Sequence, residues 1–495
     1  MVSLQIGGTT AMFDGTIIGK CESESSIDKT EEEYKVYSYQ EDGYYKTVIV
    51  ELSPMARIGD VETSLIEAIA LAEEGDTIEI LRDIQVKEMI VVPEDKNITI
   101  DLKEYIISMS SSAKNVDAIL ENRGTLYLIK NKSSYRYSIY NATSVGTTII
   151  NNGTLKINAY IRNSGYSIVR PLINNGTLDL LGGSIESYYG TVVENNGTFN
   201  LKAGEIEPGY SGSYYIVKNT AEFNMLGGYI NSDSHNSGIK NERGATFTMK
   251  AGTIYCDQYG IYIDSDNEIN ILGGMIKRYH HNATTSYAIY NNTDANVNIE
   301  SLSIENGFGY GIYNNANGNI AVSNKTNISI GSSSYGYGIY NNGSGNISIS
   351  GETNISAKNG KFEYGIYNNG SGNLTIQKST ISASGTNQAY VIVNANQGRL
   401  EITNGNINVE SNSGYAYGIQ NGVLGTAIIE RANVIVNTTE GKSYGINNES
   451  KSPFVIKEGI IVATGTQSTG IYSSASNIVL GNNDESLTAE IPVIK

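Results

Sequence analysis

Residues 337–356 read Tyr-Gly-Ile-Tyr-Asn-Asn-Gly-Ser-Gly-Asn-Ile-Ser-Ile-Ser-Gly-Glu-Thr-Asn-Ile-Ser. Apolar residues alternate here with small polar ones, which is the period-two pattern of β-strands with one buried face. The pattern predicts three short strands, around Ile339, around Ile347 and Ile349, and around Ile355. Gly and Asn separate the strands because tight corners need positive φ values, which these residues adopt at least cost. Three strands and three corners make one triangular coil.

The signature of this coil recurs along most of the chain. Positions equivalent to Asn341 follow one another at intervals of 21 to 29 residues, on average (473 − 122)/14, or about 25. Such a period is typical of a solenoid, in which each unit buries its apolar face against its neighbours. No coil contains a helical apolar period, which excludes leucine-rich and helical solenoids. The equivalent positions are Asn122, Asn151, Asn174, Asn195, Asn219, Asn241, Ile263, Asn291, Asn314, Asn341, Asn368, Asn394, Asn421, Asn448 and Ser473.

We therefore predict an all-β fold, a three-sided parallel β-solenoid of about fifteen coils. At about 4.8 Å per coil, the stack forms a rod of roughly 70 Å in which every strand pairs in parallel with the coils above and below. The Asn at the signature position is predicted to form an internal ladder. Its side-chain amide can donate to one neighbouring coil and accept from the other, and so satisfy the buried corner backbone.

One amphipathic helix is predicted before the coils, at about residues 62–74. Ser64 and Glu67 form a capping box, Leu65 and Ile69 share an apolar face with Ala72, and Gly75 ends the helix. An open solenoid end exposes apolar side chains and unpaired strand edges, so a helix laid across it protects against end-to-end aggregation. The helix is thus predicted to be an N-terminal cap, and residues 77–81 and 98–102 the first strands.

Composition limits the partners. The 34 Lys and Arg residues against 51 Asp and Glu residues give a net charge of −17, which repels phosphate backbones, so we expect no nucleic-acid partner. There is no run of eighteen apolar residues, and we expect no membrane insertion. The first ten residues lack the features of a signal peptide. Cys21 and Cys256 are too few for a disulfide framework and are expected to be free thiols.

A family resemblance agrees with this fold. The stretch from Ala56-Arg57-Ile58-Gly59-Asp60 through the helix to Gly75-Asp76-Thr77-Ile78, followed by coils with Asn-Asn-Gly-Thr-Leu and Gly-Gly-x-Ile, resembles the right-handed parallel β-helix regions of large Gram-positive (Firmicutes) surface proteins. These are adhesin-like relatives of the pectate-lyase superfold. The resemblance spans nearly the whole chain and rests on repeat texture.

The resemblance also implies a division of the chain. Residues 13–20 look like the last coil of such a β-helix, so residues 1–55 are expected to hold the end of a preceding β-helix and a short β-rich linker. Residues 56–495 would form the capped β-helix, with coils at about 77–495. Residues 480–495 look like a late coil of a rod that continues. We therefore expect an excerpt of a longer tandem protein or an incomplete gene model, either of which would explain the absent signal peptide and wall anchor.

Many parallel β-helices cleave polysaccharides, and an enzyme is the main alternative. Pectate lyases need an acidic calcium cluster with an Arg or Lys base, and polygalacturonase-like hydrolases need several Asp residues with Gly-His-Gly and Arg-Ile-Lys segments. Only Asn292-Thr293-Asp294 matches the first hydrolase element, and no Asp-Asp pair follows it. We expect no catalytic residues and no cofactor.

Two charged segments could be mistaken for metal sites. Residues 264–268, Asp-Ser-Asp-Asn-Glu, resemble a calcium loop but lack the Gly and the terminal bidentate Glu at the spacing of an EF-hand, so a solvated turn is favoured. His280 and His281 beside Lys277 and Arg278 are expected in an exposed loop, and the third histidine is His235. No metal ligand is predicted.

Tyrosines form two repeating series. We call the first the eight-tyrosine file; it shares the strand parity of the buried Ile and is expected at a corner. The second, the five-tyrosine file, has the opposite parity and is expected to face solvent. Stacking between coils explains both files, but an outward file flanked by Asn, Ser and Thr could also bind sugars or a protein. The files are Tyr259, Tyr287, Tyr310, Tyr337, Tyr364, Tyr390, Tyr417 and Tyr444, and Tyr262, Tyr290, Tyr313, Tyr340 and Tyr367.

The sequence as a whole favours a non-catalytic extracellular or cell-surface rod, an adhesin or a structural stalk. Its candidate ligand-binding residues are the five-tyrosine file, and its expected partner is a glycan or a host-surface protein. The alternatives are a polysaccharide lyase or hydrolase and a phage tail fibre or spike, which is normally trimeric. An ice-binding rod is disfavoured because no flat Thr-x-Thr file repeats. The sequence does not indicate an oligomeric state.

Overall fold

The computed structural model describes residues 54–481 except for the short segments 112, 114–115, 131–136, 144–145, 166–169, 210–214, 233–236, 279–284, 306, 332–333 and 476, together with four strands outside that range. Three of these, Gly15–Gly19, Tyr34–Glu41 and Tyr44–Glu51, form an antiparallel sheet in the order first, third, second. The fourth is Val493–Ile494. The predicted division at residue 55 stays a prediction.

The predicted parallel β-solenoid is confirmed, with about 14 turns where about fifteen were predicted. Most strands pair in parallel with the strand three positions later in the chain, as Tyr335–Asn341 pairs with Phe362–Asn368. The interval is shorter where one strand runs through more than one face. Three faces result. The signature positions predicted from the sequence are in register in every described coil, from Asn122 opposite Asn151 to Asn448 opposite Ser473.

The first face carries the signature, and we call it the signature face. Its strands are Ile90–Val92, Ala118–Asn122, Thr147–Asn151, Leu172–Asn174, Val193–Asn195, Tyr215–Asn219, Ser237–Asn241, Tyr259–Ile263, Tyr287–Asn291, Tyr310–Asn314, Tyr335–Asn341, Phe362–Asn368, Gln388–Asn394 and Gln467–Ser473.

The second face follows the signature corner. Its strands are Thr77–Ile80, Asn97–Asp101, Thr125–Ile129, Thr198–Leu201, Glu222–Met225, Thr246–Met249, Ile269–Ile271, Val297–Glu300, Ile320–Ser323, Ile347–Ile349, Leu374–Gln377, Phe454–Ile456 and Ile478–Leu480.

The third face completes each coil. Its strands are Ile84–Val86, Ile107–Met109, Ile139–Asn141, Glu205–Pro208, Tyr229–Ile230, Thr253–Cys256, Met275–Arg278, Ser303–Glu305, Asn327–Ile330, Asn354–Lys358, Thr380–Gly385, Gly459–Thr464 and Val493–Ile494. Thr154–Asn163 and Thr177–Ser187 run through the second and third faces, and Arg399–Asn421 and Thr426–Asn448 through all three.

Inward-pointing side chains fill the rod with one continuous core of Ile, Leu, Val and Phe. Within it, Phe199 and Phe223 stack with ring centroids 4.7 Å apart, and Phe223 contacts Phe247 at 5.3 Å. The core begins at the helix Leu65–Leu71, whose Leu65, Ala68 and Ile69 are buried against the first strands. The helix therefore covers the N-terminal end of the core.

This helix is shorter than the predicted residues 62–74. Ser64 is the N-cap, and its Oγ accepts a hydrogen bond from the Glu67 amide at 3.2 Å, as the capping box predicts. Residues before the cap form the strand Val61–Thr63, which pairs antiparallel with Ala56–Ile58. The helix ends at Leu71, before Gly75, and Lys96 Nζ donates to the Ala72 carbonyl at 2.7 Å. Strand pairing thus accounts for the later start of the helix, and Lys96 caps its C-terminal end.

The corners use glycine for two different reasons. Between the second and third faces, Gly351 and Glu352 have φ values of 68° and 63°, in the left-handed region that the sequence pattern anticipates. Gly343, in the Asn-Asn-Gly corner, does not have a positive φ. A Cβ there would collide with the carbonyl oxygen of Ala316 in the preceding coil, so glycine is needed for close packing of successive coils.

Candidate binding strip

Asn side chains at the signature corner form the predicted internal ladder, which is confirmed. Each amide donates to Oδ1 of the equivalent Asn in the next coil at 2.6 to 3.1 Å. The same nitrogen donates to corner carbonyls, as Asn341 does to Gly345 at 2.9 Å. The ladder is interrupted at Ile263, where Ser265 Oγ donates to the Ala245 carbonyl at 2.6 Å. One continuous stretch runs from Asn122 to Asn241 and another from Asn291 to Asn448.

Both tyrosine files lie on the outside of the signature face. In the strand Tyr310–Asn314, the side chains of Tyr310 and Tyr313 are partly exposed, whereas Gly311 and Ile312 are both buried. Two consecutive buried residues shift the alternation by one position. A Cβ on Gly311 would lie 2.5 Å from the Gly338 carbonyl oxygen and 2.6 Å from Ile328 Cγ2, so only a residue without a side chain fits.

The prediction that the eight-tyrosine file shares the parity of Ile and sits at a corner was therefore wrong. Glycine at this position in most of these coils hid the direction, which Ala288 and Val391, both fully buried at the equivalent position, could have shown. The two files are instead neighbours on one surface. Their rings meet edge to face, with Tyr310 and Tyr313 at 5.2 Å and 84°, and Tyr337 and Tyr340 at 5.1 Å and 88°.

Along the rod, each file is an unbroken stack. Ring centroids in the eight-tyrosine file are 4.6 to 5.2 Å apart, with interplanar angles of 3° to 17°. In the five-tyrosine file they are 5.0 to 5.2 Å apart, at 3° to 11°. This repeat exceeds the contact distance of about 3.5 to 4.0 Å between carbon atoms, so the rings must tilt to stay in contact. Opposite tilts in the two files account for the near-right angle between them.

An outer file of asparagines runs beside the five-tyrosine file, two residues further along each strand. It consists of Asn292, Asn315, Asn342 and Asn369, which are partly or fully exposed. The side-chain amides of the last three donate to Oδ1 of the equivalent Asn in the preceding coil at 3.0 to 3.4 Å. Asn292 donates to Asp264 Oδ1 at 3.3 Å. The internal ladder donates in the opposite direction. We call the two tyrosine files and this outer Asn file the tyrosine strip.

Packing in the strip makes the phenols harder to ionise. Burial raises the pKa of Tyr290 and Tyr340 to about 12, and neighbouring tyrosines that would carry negative charge add to the effect. Burial likewise raises the pKa of Tyr364 and Tyr417 to about 12 and that of Tyr337 further. At neutral pH every hydroxyl with a raised pKa therefore keeps its proton and can donate a hydrogen bond.

The N-terminal end of the strip carries charge. Lys240 occupies the position in the five-tyrosine file before Tyr262, and its Nζ lies 6.0 Å from the Tyr262 ring centroid. The same Nζ is 3.0 Å from Glu242 Oε1 and 4.0 Å from Asp264 Oδ2. Toward the C-terminus, Val393 follows Tyr367 in register and the aromatic file ends.

Sequence reasoning missed a third aromatic file. Tyr335, Phe362 and Tyr415 lie two residues before members of the eight-tyrosine file, with Gln388 between the last two in register. Tyr335 is 50 % exposed and Tyr415 is 39 % exposed. Tyr335 stacks on Phe362 at 4.8 Å. The i and i+2 spacing of Tyr335 and Tyr337 is the signal that indicates a shared outward face.

The other candidate segments are described in part. Beside the histidines, Lys277 and Arg278 end the third-face strand Met275–Arg278, and the buried Arg278 donates from Nη1 to the Gly307 carbonyl at 2.7 Å. Ser265 and Asn267 tie residues 264–268 to the preceding coil, and Asn267 Nδ2 donates to the Gly244 carbonyl at 2.8 Å. Among the described residues, no cluster of three or more His, Cys, Asp or Glu side chains could hold a metal ion. His235, His280, His281 and Cys21 lie outside the described residues.

Cys256 is a free, buried thiol, and burial raises its pKa. In the part of the chain that the structure describes, no helix is long and apolar enough to cross a membrane. No protein-family model matches the chain, and comparisons with curated proteins and with solved structures found no match. Function is therefore inferred from the chemistry of the strip.

Proposed function

We propose that the chain is a non-catalytic rod at the cell surface or outside the cell, an adhesin or stalk that binds a glycan through the tyrosine strip. One observation carries this proposal. Four successive coils present the same three outward groups, two tyrosines and one asparagine, without interruption, from Tyr287, Tyr290 and Asn292 to Tyr364, Tyr367 and Asn369.

The strip offers the groups that hydroxyl-rich ligands use. Each tyrosine hydroxyl is a donor and an acceptor, and each outer Asn has two N–H donors and two acceptor lone pairs. The outer ladder uses about one donor and one acceptor per Asn, as for Asn342 between Asn315 and Asn369. The remaining capacity faces solvent. Stacking within the files fixes the rings in advance, so binding loses little side-chain freedom.

A protein partner is the second candidate, and the third aromatic file favours it. Tyr335 and Tyr415 widen the strip with exposed aromatic surface, and Tyr is enriched at protein interfaces. The surface location is supported by the resemblance to Gram-positive adhesin-like β-helix regions. The net charge of −17 agrees with a partner that is neither nucleic acid nor an anionic lipid surface.

The test is a triple substitution, Tyr313→Ser, Tyr340→Ser and Tyr367→Ser, assayed on a glycan array and on host cells. A matched control replaces Tyr229 and Tyr255, which lie on the third face, by Ser. Binding should be lost in the triple variant and kept in the control. A second variant with Phe at the same three positions retains the stack but removes the hydroxyls. Glycan binding that survives in a folded triple variant would overturn the proposal.

The enzyme alternative has a direct assay. The full chain is incubated with pectin, polygalacturonate and other cell-wall polysaccharides, and reducing ends and unsaturated products are measured. We expect no products. Release of oligosaccharides by the chain, abolished by substitutions outside the strip, would replace the binding proposal by a catalytic one.

A further inference from the structure

Each coil contributes to the strip one residue of each file, two tyrosines and one asparagine, and we call this set a rung. Successive rungs are alike in charge as well as in shape. The segments 310–319, 337–346 and 364–373 contain no charged residue, and residues 287–296 contain only Asp294. Asp294 Oδ1 already accepts hydrogen bonds from the Asn317 amide at 2.9 Å and from its side chain at 3.1 Å. Within these segments a ligand therefore meets hydroxyls, amides and ring edges, and no cationic side chain; Lys361 lies outside them, directly before the strand Phe362–Asn368.

The Lys240 cation at the N-terminal end of the strip does not create a site for an acidic ligand. Lys240 is paired with Glu242 at 3.0 Å, and Asp264 lies nearby. The local charge there is balanced or negative. Acidic polymers such as polyuronates and sulfated glycans would gain no ion pair and would meet the field of a chain with a net charge of −17.

The ring geometry limits how a sugar can approach. Within each file, a ring has a neighbour about 5 Å away on both sides, so most of each ring face is covered by the next ring. Ring edges and hydroxyls are what remain accessible. Contacts of this kind are individually weak, and a useful affinity requires the same contact to be repeated over several rungs.

We infer that the ligand is a neutral, linear, hydroxyl-rich polymer that lies along the rod axis and contacts successive rungs with successive repeat units. This inference rests on the proposed function and specifies its ligand class and orientation. A polymer bound in this way has no unique register, because shifting it by one coil exchanges one rung for an equivalent one. Affinity then depends on how many rungs the polymer covers.

The repeat allows a test by removing one whole coil. Deleting residues 315–341, the 27 residues that separate Asn314 from Asn341 in the ladder, joins Asn314 to Asn342 and removes the rung of Tyr337 and Tyr340. Deleting residues 152–174 removes a coil of 23 residues outside the strip and is the matched control. Cello- and chito-oligosaccharides of increasing length are the neutral probes, and polygalacturonate is the acidic one.

Affinity should rise with oligosaccharide length and then level off. The deletion inside the strip should weaken binding of the longest oligomers about fivefold, as expected for the loss of one net hydrogen-bonding contact, and should leave the shortest ones unchanged. The control deletion should have no effect.

Two failures are distinguishable. If affinity does not depend on length or on the number of rungs while the Tyr313, Tyr340 and Tyr367 substitutions still abolish binding, the axial polymer is wrong and the binding strip stands. If those substitutions leave glycan binding intact, the proposed function itself fails. Stronger binding of polygalacturonate than of the neutral probes would overturn the charge assignment.

Discussion

The side-chain amide of Asn341 donates a hydrogen bond to Oδ1 of Asn368 at 2.9 Å, across the boundary between two coils. Both residues are fully buried. Each member inside a continuous stretch donates to the Asn of the next coil and accepts from the Asn of the preceding coil. Removing one member therefore leaves two neighbours without a hydrogen-bond partner. The cost of an unsatisfied buried polar group is about 1 to 3 kcal/mol, which makes the ladder a sensitive place to test the fold.

Replacing Asn314 by Ile should destabilise the surrounding coils by roughly 3 kcal/mol, because Asn341 Oδ1 and the Gly318 carbonyl lose their donor. The natural break at Ile263 is accompanied by Ser265, which donates to the Ala245 carbonyl. The double variant Asn314→Ile with Ala316→Ser copies that arrangement against the Ala295 carbonyl. It adds a hydrogen bond between coils without restoring the two lost ones, so it should regain about 1 kcal/mol of the loss. Hydrogen exchange of the strands around position 314 measures both effects, and equal protection in the two variants would contradict the compensation.

Phe223→Ala should destabilise the N-terminal half of the rod by about 3 to 5 kcal/mol, because it removes the middle ring of the Phe199, Phe223 and Phe247 stack. Phe362→Ala is the control, since Phe362 is only partly buried and lies on the outer surface. Local hydrogen exchange separates the two. Similar losses of protection in both variants would show that the internal stack has no special role.

Stability should fall as the pH rises from about 10 to about 12. Tyrosine has an ordinary pKa of about 10 in the unfolded chain, whereas burial raises the pKa of Tyr340, Tyr364 and Tyr417 to about 12 in the folded one. The folded state binds these protons more tightly. The stability that these groups contribute is therefore fully present below about pH 10 and is lost as the pH rises to about 12.

Phe at positions 340, 364 and 417 keeps the rings and removes the ionisable hydroxyls, so alkaline unfolding should move to higher pH. The Tyr229→Phe and Tyr255→Phe pair on the third face is the control. Circular dichroism during a pH titration is the measurement. An unchanged midpoint in the triple variant would mean that other groups govern alkaline unfolding.

Ile69→Asp should uncover the N-terminal end of the core, because Ile69 is 3 % exposed beneath the helix Leu65–Leu71. We expect loss of protection in residues 77–101 and association into oligomers, since an uncovered solenoid end exposes strand edges. Ile66→Asp is a matched control on the same helix, at a position that is 53 % exposed. Light scattering with size exclusion should show a monomer-to-oligomer difference between the two variants.

The repeat period, the three strands per coil and the internal position of Asn were predictable, because each follows from apolar alternation that is repeated many times. The bend at Gly311 was missed, since glycine itself shows no direction, although Ala288 and Val391 at the equivalent position are apolar and buried. Lys96 caps the end of the helix by donating to the Ala72 carbonyl from another part of the chain. A contact between distant segments of this kind leaves no local signal.

The interruption of the internal ladder at Ile263 divides the rod for any load applied along its axis. On either side, a side-chain amide adds one buried hydrogen bond to the backbone bonds that hold each coil to the next. At Ile263 that inner tie is missing, and the stacked rings of Tyr259 with Tyr287 and of Tyr262 with Tyr290 bridge the same boundary from outside. Under tension, we expect extension to begin beside Ile263, where the tyrosine strip starts.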